Sequence, residues 1–575
     1  MQTKNMTGYP SIDKPWLKYY SKEAINAPLP EETIYDYLIK KNKDYPKDIA
    51  IQYFSNKITY RKLFDKIDLC ANALYFLGVR EKDIVTVALP SIPEALFLVY
   101  ALNKIGAVAN MIHPLAGARE IVGYLNEVSS QFAFIFDGTY KIIKDSIKDT
   151  SVEKAIVISA AESLPLVLKN LYYIKSGRPK LSDDIFMTWQ SFLSNGKNTR
   201  TEKYDKDSSS VAIISHTGGT TGEPKGVMCS DKNANALMHQ IVCNFEYTRQ
   251  GTSLAVLPPF VNYSLIEAMM AMLAIGYKVV LIPDYKPFEL DKYIKNYRPN
   301  IVLSIPAYWE ALLKIDNIRN IDMSCFEQIY AGGEMISEEN EEAVNEILLS
   351  CGSKSPLLKG LGSTEMTGGA TQTYLNCNIK GSVGIPLVKV NCKIVSTEDN
   401  SELSYGKEGE ICFSGNTVMM GYYKNEAATN DIIKIHQDGS KWLHTGDLGY
   451  IDNNGILFVT GRIKRIFMTK GKDQQVTKVF PDRIEKAIME HELIEICCAV
   501  GVKDKDRINY PKVYIKLRSG EKRSYELTNE IYELCKNKLP EYMVPEKIEY
   551  VDDFPRTDRG KVDYRALEKM AEEGL

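Results

Sequence analysis

Short apolar, β-branched runs recur along the chain, each closed by turn residues. Asp83-Ile-Val-Thr-Val-Ala-Leu-Pro, Ser210-Val-Ala-Ile-Ile-Ser, Tyr277-Lys-Val-Val-Leu-Ile-Pro and Asn300-Ile-Val-Leu-Ser-Ile-Pro predict buried strands. Glu94 to Ile105 predicts the helix after the first of them. The longest apolar stretch, Ala268 to Pro283, is broken by Gly276 and Lys278. It predicts a buried helix followed by a strand and is too short to span a bilayer. Such alternation predicts an α/β fold of layered subdomains with parallel strands.

Toward the C-terminus the pattern changes. Closely spaced Gly406, Gly409, Gly415, Asp447, Asp452 and Gly455 predict a β-rich subdomain of short strands. Beyond Thr460 a compact α+β set follows: a helix from Asp482 to His491, a strand from Cys497 to Val502 and a helix from Tyr525 to Leu539. The boundary falls between Thr460 and Phe467, giving domains 1–464 and 465–575.

Leu164, Val167, Leu168, Leu171 and Ile174 fall at helical spacing, with Lys169, Lys175, Arg178 and Lys180 on or beyond the other face. A basic amphipathic helix of this kind, within 164–180, can make a peripheral membrane contact. The commoner arrangement packs the apolar stripe on the domain and leaves a solvated basic face.

Composition narrows the class. At 575 residues more than one domain is expected. A net charge of -3 offers no electrostatic argument for nucleic acid. The 11 cysteines form no Cys-x-x-Cys pair, which predicts reduced thiols in a cytoplasmic protein. The six histidines form no His-x-x-x-His or His-x-His cluster, so the sequence points away from a histidine metal centre. The start, Met1-Gln-Thr-Lys-Asn, lacks the apolar core of a signal peptide.

The chemistry begins at Thr217-Gly218-Gly219-Thr220-Thr221-Gly222-Glu-Pro-Lys225. Three glycines let successive N–H groups converge on one anion, the threonine hydroxyls add donors, and Lys225 adds a mobile positive charge. The physical target is polyphosphate, although neither a Walker A loop nor a Gly-x-Gly-x-x-Gly turn is present. A flexible turn with a solvated lysine is the plain alternative for this loop taken alone.

The segments that follow carry a resemblance. Gly360-Leu-Gly-Ser-Thr-Glu365, Lys380-Gly-Ser-Val-Gly-Ile-Pro386, Gly421-Tyr-Tyr-Lys-Asn-Glu-Ala-Ala-Thr429, Trp442-Leu-His-Thr-Gly-Asp447, Gly461-Arg-Ile-Lys-Arg465, Leu539-Pro-Glu-Tyr-Met-Val-Pro545 and Pro555-Arg-Thr-Asp-Arg-Gly-Lys561 come in order. With the loop, they resemble the motifs of the adenylate-forming (AMP-binding) superfamily, and the chain looks like its acyl-CoA synthetase branch. The resemblance implies a two-step reaction. A carboxylate attacks the α-phosphorus of ATP to give an acyl-adenylate and pyrophosphate, and a thiol then takes the acyl group.

The roles implied are specific. Residues 217–222 and Lys225 hold the β- and γ-phosphates, and Thr364 donates to the α-phosphate. Glu365 ligates Mg²⁺, a hard cation suited to one carboxylate plus phosphate oxygens. Gly333 and Glu334 lie against the adenine edge beside Gly360 and Leu361. Asp447 accepts the ribose hydroxyls with Arg462 assisting. Lys561, catalytic, arrives on a small mobile C-terminal domain that pivots at Arg465. Phe260, Val261 and Gly362 belong to the acyl pocket, and Gly471 to the thiol-donor side.

Some positions depart from the family pattern. Leu361 stands where an adenine-stacking aromatic is usual, and Val261 where a histidine is. Val261 supplies no countercharge for an amino group, which disfavours α-amino acids and favours an aliphatic or fatty acid. Lys470 to Pro481 is longer and more polar than usual, so the acceptor is open between CoA and a carrier-protein phosphopantetheine. A third reading, an adenylate-binding protein without turnover, requires the retained Lys225, Thr364, Glu365, Asp447 and Lys561 to be idle.

Overall fold

Two parallel-rich sheets carry most of the chain. The computed structural model describes residues 6–177, 180–181, 184–201, 203–217, 225–245, 247–470, 476–504, 508–556 and 562–573. Among them, one sheet runs in the order Leu357–Gly360, Gln328–Gly332, Ile301–Ser304, Thr252–Ala255, Lys278–Leu281, Ile49–Tyr53, Asn56–Thr59. Every pairing in it is parallel except the last hairpin. The second sheet runs Gly421–Tyr422, Gly226–Ser230, Val211–His216, Val108–Met111, Ile84–Ala88, Phe132–Phe136, Lys154–Ile158, Phe186–Thr188. The predicted buried strands are thus all present, and their two-sided burial explains why they read as apolar runs without alternation.

The apolar stretch after Asn262 is helical, as expected, but of an unusual kind. Tyr263–Ala271 is a π-helix that continues into Met272–Ala274. π-turns are rare and concentrate at functional sites. All of Ser264 to Ala274 is buried between the two sheets' contributions to the main core.

A β-rich layer follows: Asn391–Val395, Gly409–Ser414, Ile433–Ile435, Lys441–Ile451 and Leu457–Arg462. Beyond it, Phe467–Lys470 pairs with Val476–Val479, and Ile494–Asp504, Ile508–Leu517 and Lys547–Tyr550 form another sheet. Helices Pro481–Ile488, Tyr525–Lys538 and Tyr564–Glu573 cover it. The apolar clusters here contain, among the described residues, nothing before Phe467. Ion pairs cross to the rest of the chain: Arg483 to Glu408 at 2.9 Å, Arg518 to Glu339 at 3.0 Å and Lys314 to Glu495 at 3.7 Å. Surface pairs of this type hold weakly.

The helix predicted within 164–180 forms over Leu166–Ser176. Its packing is the reverse of the commoner arrangement, because the aliphatic stripe faces outward.

Candidate active site

The phosphate-loop residues Gly218, Gly219, Thr220, Thr221 and Gly222 lie outside the described residues, as do Gly471 and Lys561. The stem of the loop is described. Strands Val211–His216 and Gly226–Ser230 run antiparallel with His216 opposite Gly226. The Thr217 N–H donates to the Lys225 carbonyl at 3.1 Å, and the Lys225 N–H donates to Thr217 Oγ1 at 3.3 Å. Thr217 and Lys225 therefore close the described part of a hairpin whose first strand belongs to the parallel sheet.

The segment Gly421–Tyr422 pairs with the second strand of that hairpin and sews it to the Glu365 turn. The Met420 N–H donates to the Met228 carbonyl at 2.9 Å and the Met419 N–H to the Glu365 carbonyl at 2.8 Å. Tyr422 sits between the two. Its ring centroid lies 4.9 Å from Lys225 Nζ, and its hydroxyl donates to Glu365 Oε1 at 2.8 Å. Burial and the neighbouring carboxylate hold the phenol well above the usual tyrosine range, so it is a donor at neutral pH. Thr364 opens the short 3₁₀ turn Thr364–Met366 that presents Glu365.

Parallel register aligns the next group. Gly332 is opposite Gly360 at the C-terminal ends of neighbouring strands, which brings Gly333 and Glu334 beside Leu361. In open α/β sheets ligands bind at such carboxyl ends. Leu361 is partly buried, and its backbone exchanges bonds with Thr371 at 3.0 Å in both directions. Gly362 pairs with Gly369, and a Cβ there would fall 2.3 Å from the Gly368 carbonyl oxygen. Close backbone approach accounts for glycine at this position.

Asp447 and Arg462 are register partners on adjacent strands, and Arg462 Nε lies 2.8 Å from Asp447 Oδ1. Asp447 is buried while Arg462 is exposed. Behind them Glu410 Oε2 lies 2.7 Å from His444 Nδ1, and Glu410 Oε1 accepts from the Gly446 N–H at 3.0 Å. His444 Nε2 in turn meets His436 Nε2 at 2.9 Å. With Cys412 opposite His444, these are donors of metal-binding type that the sequence spacing does not reveal. Glu410 bonds both His444 and the Gly446 N–H, which braces the 444–447 turn.

Phe260 is buried with the His113 ring 4.6 Å away, and Val261 packs on the main core. The adjoining Asn262 lies 2.5 Å from Ser215 Oγ. Glu267, on the π-helix, accepts from the Gly369 N–H at 2.7 Å, and burial pushes its carboxyl up to about 8. Tyr422, His113, Asn262 and Glu267 are the site residues the sequence reading passes over. Tyr422 sits inside a quoted motif, and Glu267 is a lone acid against an apolar run; both were available signals.

Arg465 is held away from these groups. It donates to Asp482 at 2.9 Å, to Glu485 and to the Ala499 carbonyl at 3.2 Å. All of these partners lie in the C-terminal set, so the side chain is fastened to it. Asp482 also accepts from the Arg462 N–H at 3.3 Å.

Residues 38–423 match the AMP-binding enzyme family, and residues 483–561 match the AMP-binding enzyme C-terminal domain. The long-chain-fatty-acid–CoA ligase of Bacillus subtilis is 27% identical over 566 residues, covering 96% of this chain and 97% of that one. An anthranilate CoA ligase in complex with anthranoyl-AMP superposes with a TM-score of 0.80 at 21% identity, over 96% of this chain and 99% of that one. The o-succinylbenzoate coenzyme A synthetase of B. subtilis, with ATP and magnesium, superposes with a TM-score of 0.73 at 22% identity, over 93% and 98%. Matched across both parts, with the Glu365 turn set beside the stem of the 217–225 segment, the protein belongs to the AMP-binding enzyme family, in the acyl-CoA synthetase branch of the adenylate-forming superfamily.

Proposed function

We propose that this enzyme joins a carboxylic acid to coenzyme A in two steps, with ATP cleaved to AMP and pyrophosphate. The observation that carries the reading is Tyr422, which holds a cation, Lys225, on its ring and an anion, Glu365, on its hydroxyl. A polyphosphate needs both: ammonium and N–H donors for its oxygens, and a hard carboxylate for the accompanying metal ion.

In the first step the acid's carboxylate oxygen bonds to the α-phosphorus and the bond to the β-phosphate oxygen breaks, releasing pyrophosphate. Lys225 and the 217–222 loop bind the departing phosphates, and Thr364 donates to the α-phosphate. Asp447 and Arg462 orient the ribose, and Gly333, Glu334, Gly360 and Leu361 line the adenine. Glu365, a hard oxygen ligand steadied by Tyr422, fits Mg²⁺, which when bound neutralises phosphate charge. Lys561 bridges the acid and the α-phosphate. In the second step the thiol sulfur attacks the acyl carbonyl, AMP leaves, and the thiol proton passes to solvent. Residues 465–575 turn about Arg465 between steps, bringing Gly471 to the thiol side. The separate apolar clusters and the ion-paired junction support that motion.

An aliphatic, fatty acid fits the apolar Phe260 and Val261, and the B. subtilis relative is named for such acids. The anthranilate ligase is named for an aromatic one. Hydroxamate trapping with ATP, Mg²⁺ and a panel of aliphatic and aryl acids is the test. Acyl-hydroxamate, greatest for aliphatic acids, is expected. An aryl preference overturns the acid class, and silence across the panel overturns the enzyme. CoA is then the expected acceptor, with a holo carrier protein as the competing arm.

A further inference from the structure

A three-turn helix carries its aliphatic residues on the outside. In Leu166–Ser176, Leu166 is 74% exposed, Val167 70%, Leu171 56% and Ile174 81%. The polar and aromatic side faces the protein: Tyr173 Oη donates to Glu162 at 3.1 Å, Lys169 Nζ to Glu162 at 2.9 Å and Tyr172 Oη to Asp137 at 3.4 Å. A surface helix ordinarily does the reverse. Turning this one to bury its leucines would break those three bonds, so the inversion is locked.

The surroundings extend the apolar surface. The Asn56 side chain donates to the Ser163 carbonyl at 2.8 Å, which sets the exposed Phe54, in the same hairpin turn, near the start of the helix. The exposed Leu115 lies against Gly138, next to Asp137. The segment is basic on balance. Residues 162–184 include Lys169, Lys175, Arg178 and Lys180 against Glu162, Asp183 and Asp184, in a chain of net charge -3. Lys169 answers Glu162, while Lys175 and Lys180 are exposed.

We propose that helix Leu166–Ser176 docks the protein on an anionic phospholipid bilayer, its aliphatic row in the leaflet and its flanking basic residues at the headgroups. Aliphatic side chains without partners gain by entering an acyl layer, and a basic margin is attracted to anionic lipid. A second protein copy fits less well. The helix is about 16 Å long and ~10 Å wide, far below the roughly 800 Å² that each partner gives to a standard interface.

The docked side is also the side of the acid. His113, two residues before Leu115, lies on Phe260. The short segment 113–115 therefore runs from the exposed Leu115 to the side chain that covers Phe260. This last step rests on the ligase reading.

The test is co-sedimentation of the full chain with vesicles of 3:1 phosphatidylcholine–phosphatidylserine and of phosphatidylcholine alone, at low and high salt. A triple variant, Val167→Asp/Leu171→Asp/Ile174→Asp, changes only exposed positions and is checked for unaltered thermal unfolding. Binding to the anionic vesicles is expected, weakened by salt and reduced about tenfold or more in the variant. Equal binding by the variant, or no binding by the wild type, overturns the proposal. So does a wild-type dimer that the variant turns into a monomer without vesicle binding. Adenylation of a soluble short-chain acid is expected to be the same in both proteins, while that of a vesicle-borne long-chain acid falls in the variant. No adenylation of any acid would sink the ligase reading and leave the co-sedimentation result standing.

Discussion

The Tyr422 hydroxyl donates to Glu365 Oε1 across 2.8 Å, joining two motifs that are 57 residues apart. Replacing it tests the proposed polyphosphate site without touching a ligand-binding atom. Tyr422→Phe keeps the ring under Lys225 and loosens Glu365. A charged hydrogen bond of this kind contributes about 1.5–3 kcal/mol. ATP–pyrophosphate exchange is expected to slow roughly tenfold at low Mg²⁺ and to recover as Mg²⁺ is raised. A loss independent of Mg²⁺ would argue against Glu365 as the ligand.

Lys561 is assigned to the first step alone. Lys561→Ala is expected to cut adenylation by roughly two to three orders of magnitude. Thioester formation from supplied acyl-adenylate and CoA should stay within a few-fold of wild type. Equal loss in both half-reactions would remove the two-state role given to this residue.

Arg465 sits among Asp482, Glu485 and the Ala499 carbonyl, and Glu485 is half-buried. Arg465→Ala removes the countercharge and leaves that carboxyl the Ala499 N–H as donor, a change expected to cost about 1–3 kcal/mol. The first unfolding transition should move down in calorimetry. Arg465→Met combined with Glu485→Gln should recover much of the loss, because both charges then go together.

Glu267 supplies a pH signature. Burial pushes its carboxyl up to about 8 from the ordinary 4.5, so the folded protein holds a proton that the unfolded chain releases. The sign follows from linkage: stability falls as pH rises from about 4.5 to about 8 and is level above that. Glu267→Gln keeps an acceptor for the Gly369 N–H and cannot ionise. Its stability should exceed that of wild type at pH 8, by a few kcal/mol at most, and match it near pH 4. Urea denaturation at several pH values measures the difference; parallel curves would count against an ionising Glu267.

Most of the secondary structure and the motif order were legible without coordinates. Runs such as Val211–His216 and Ile301–Ser304 announce buried strands because hydrophobic periodicity and turn residues act over a few neighbouring positions. The glycines and lysine at 217–225 announce phosphate for the same reason: a nest is built from consecutive N–H groups. Sequence by itself therefore determined the α/β class, the family and the candidate ATP residues.

What it left open depends on groups brought together from far along the chain. Tyr422 gains its place from Lys225 and Glu365, and Glu267 meets Gly369 across 102 residues. Glu410 meets His444 across 34 residues because their strands are neighbours in one sheet. The helix at Leu166–Ser176 is the clearest case. Its periodicity was plain, yet periodicity tells which residues share a face and never which face turns inward. Glu162 and Asp137, by bonding Tyr173, Lys169 and Tyr172, decided that the leucines look out.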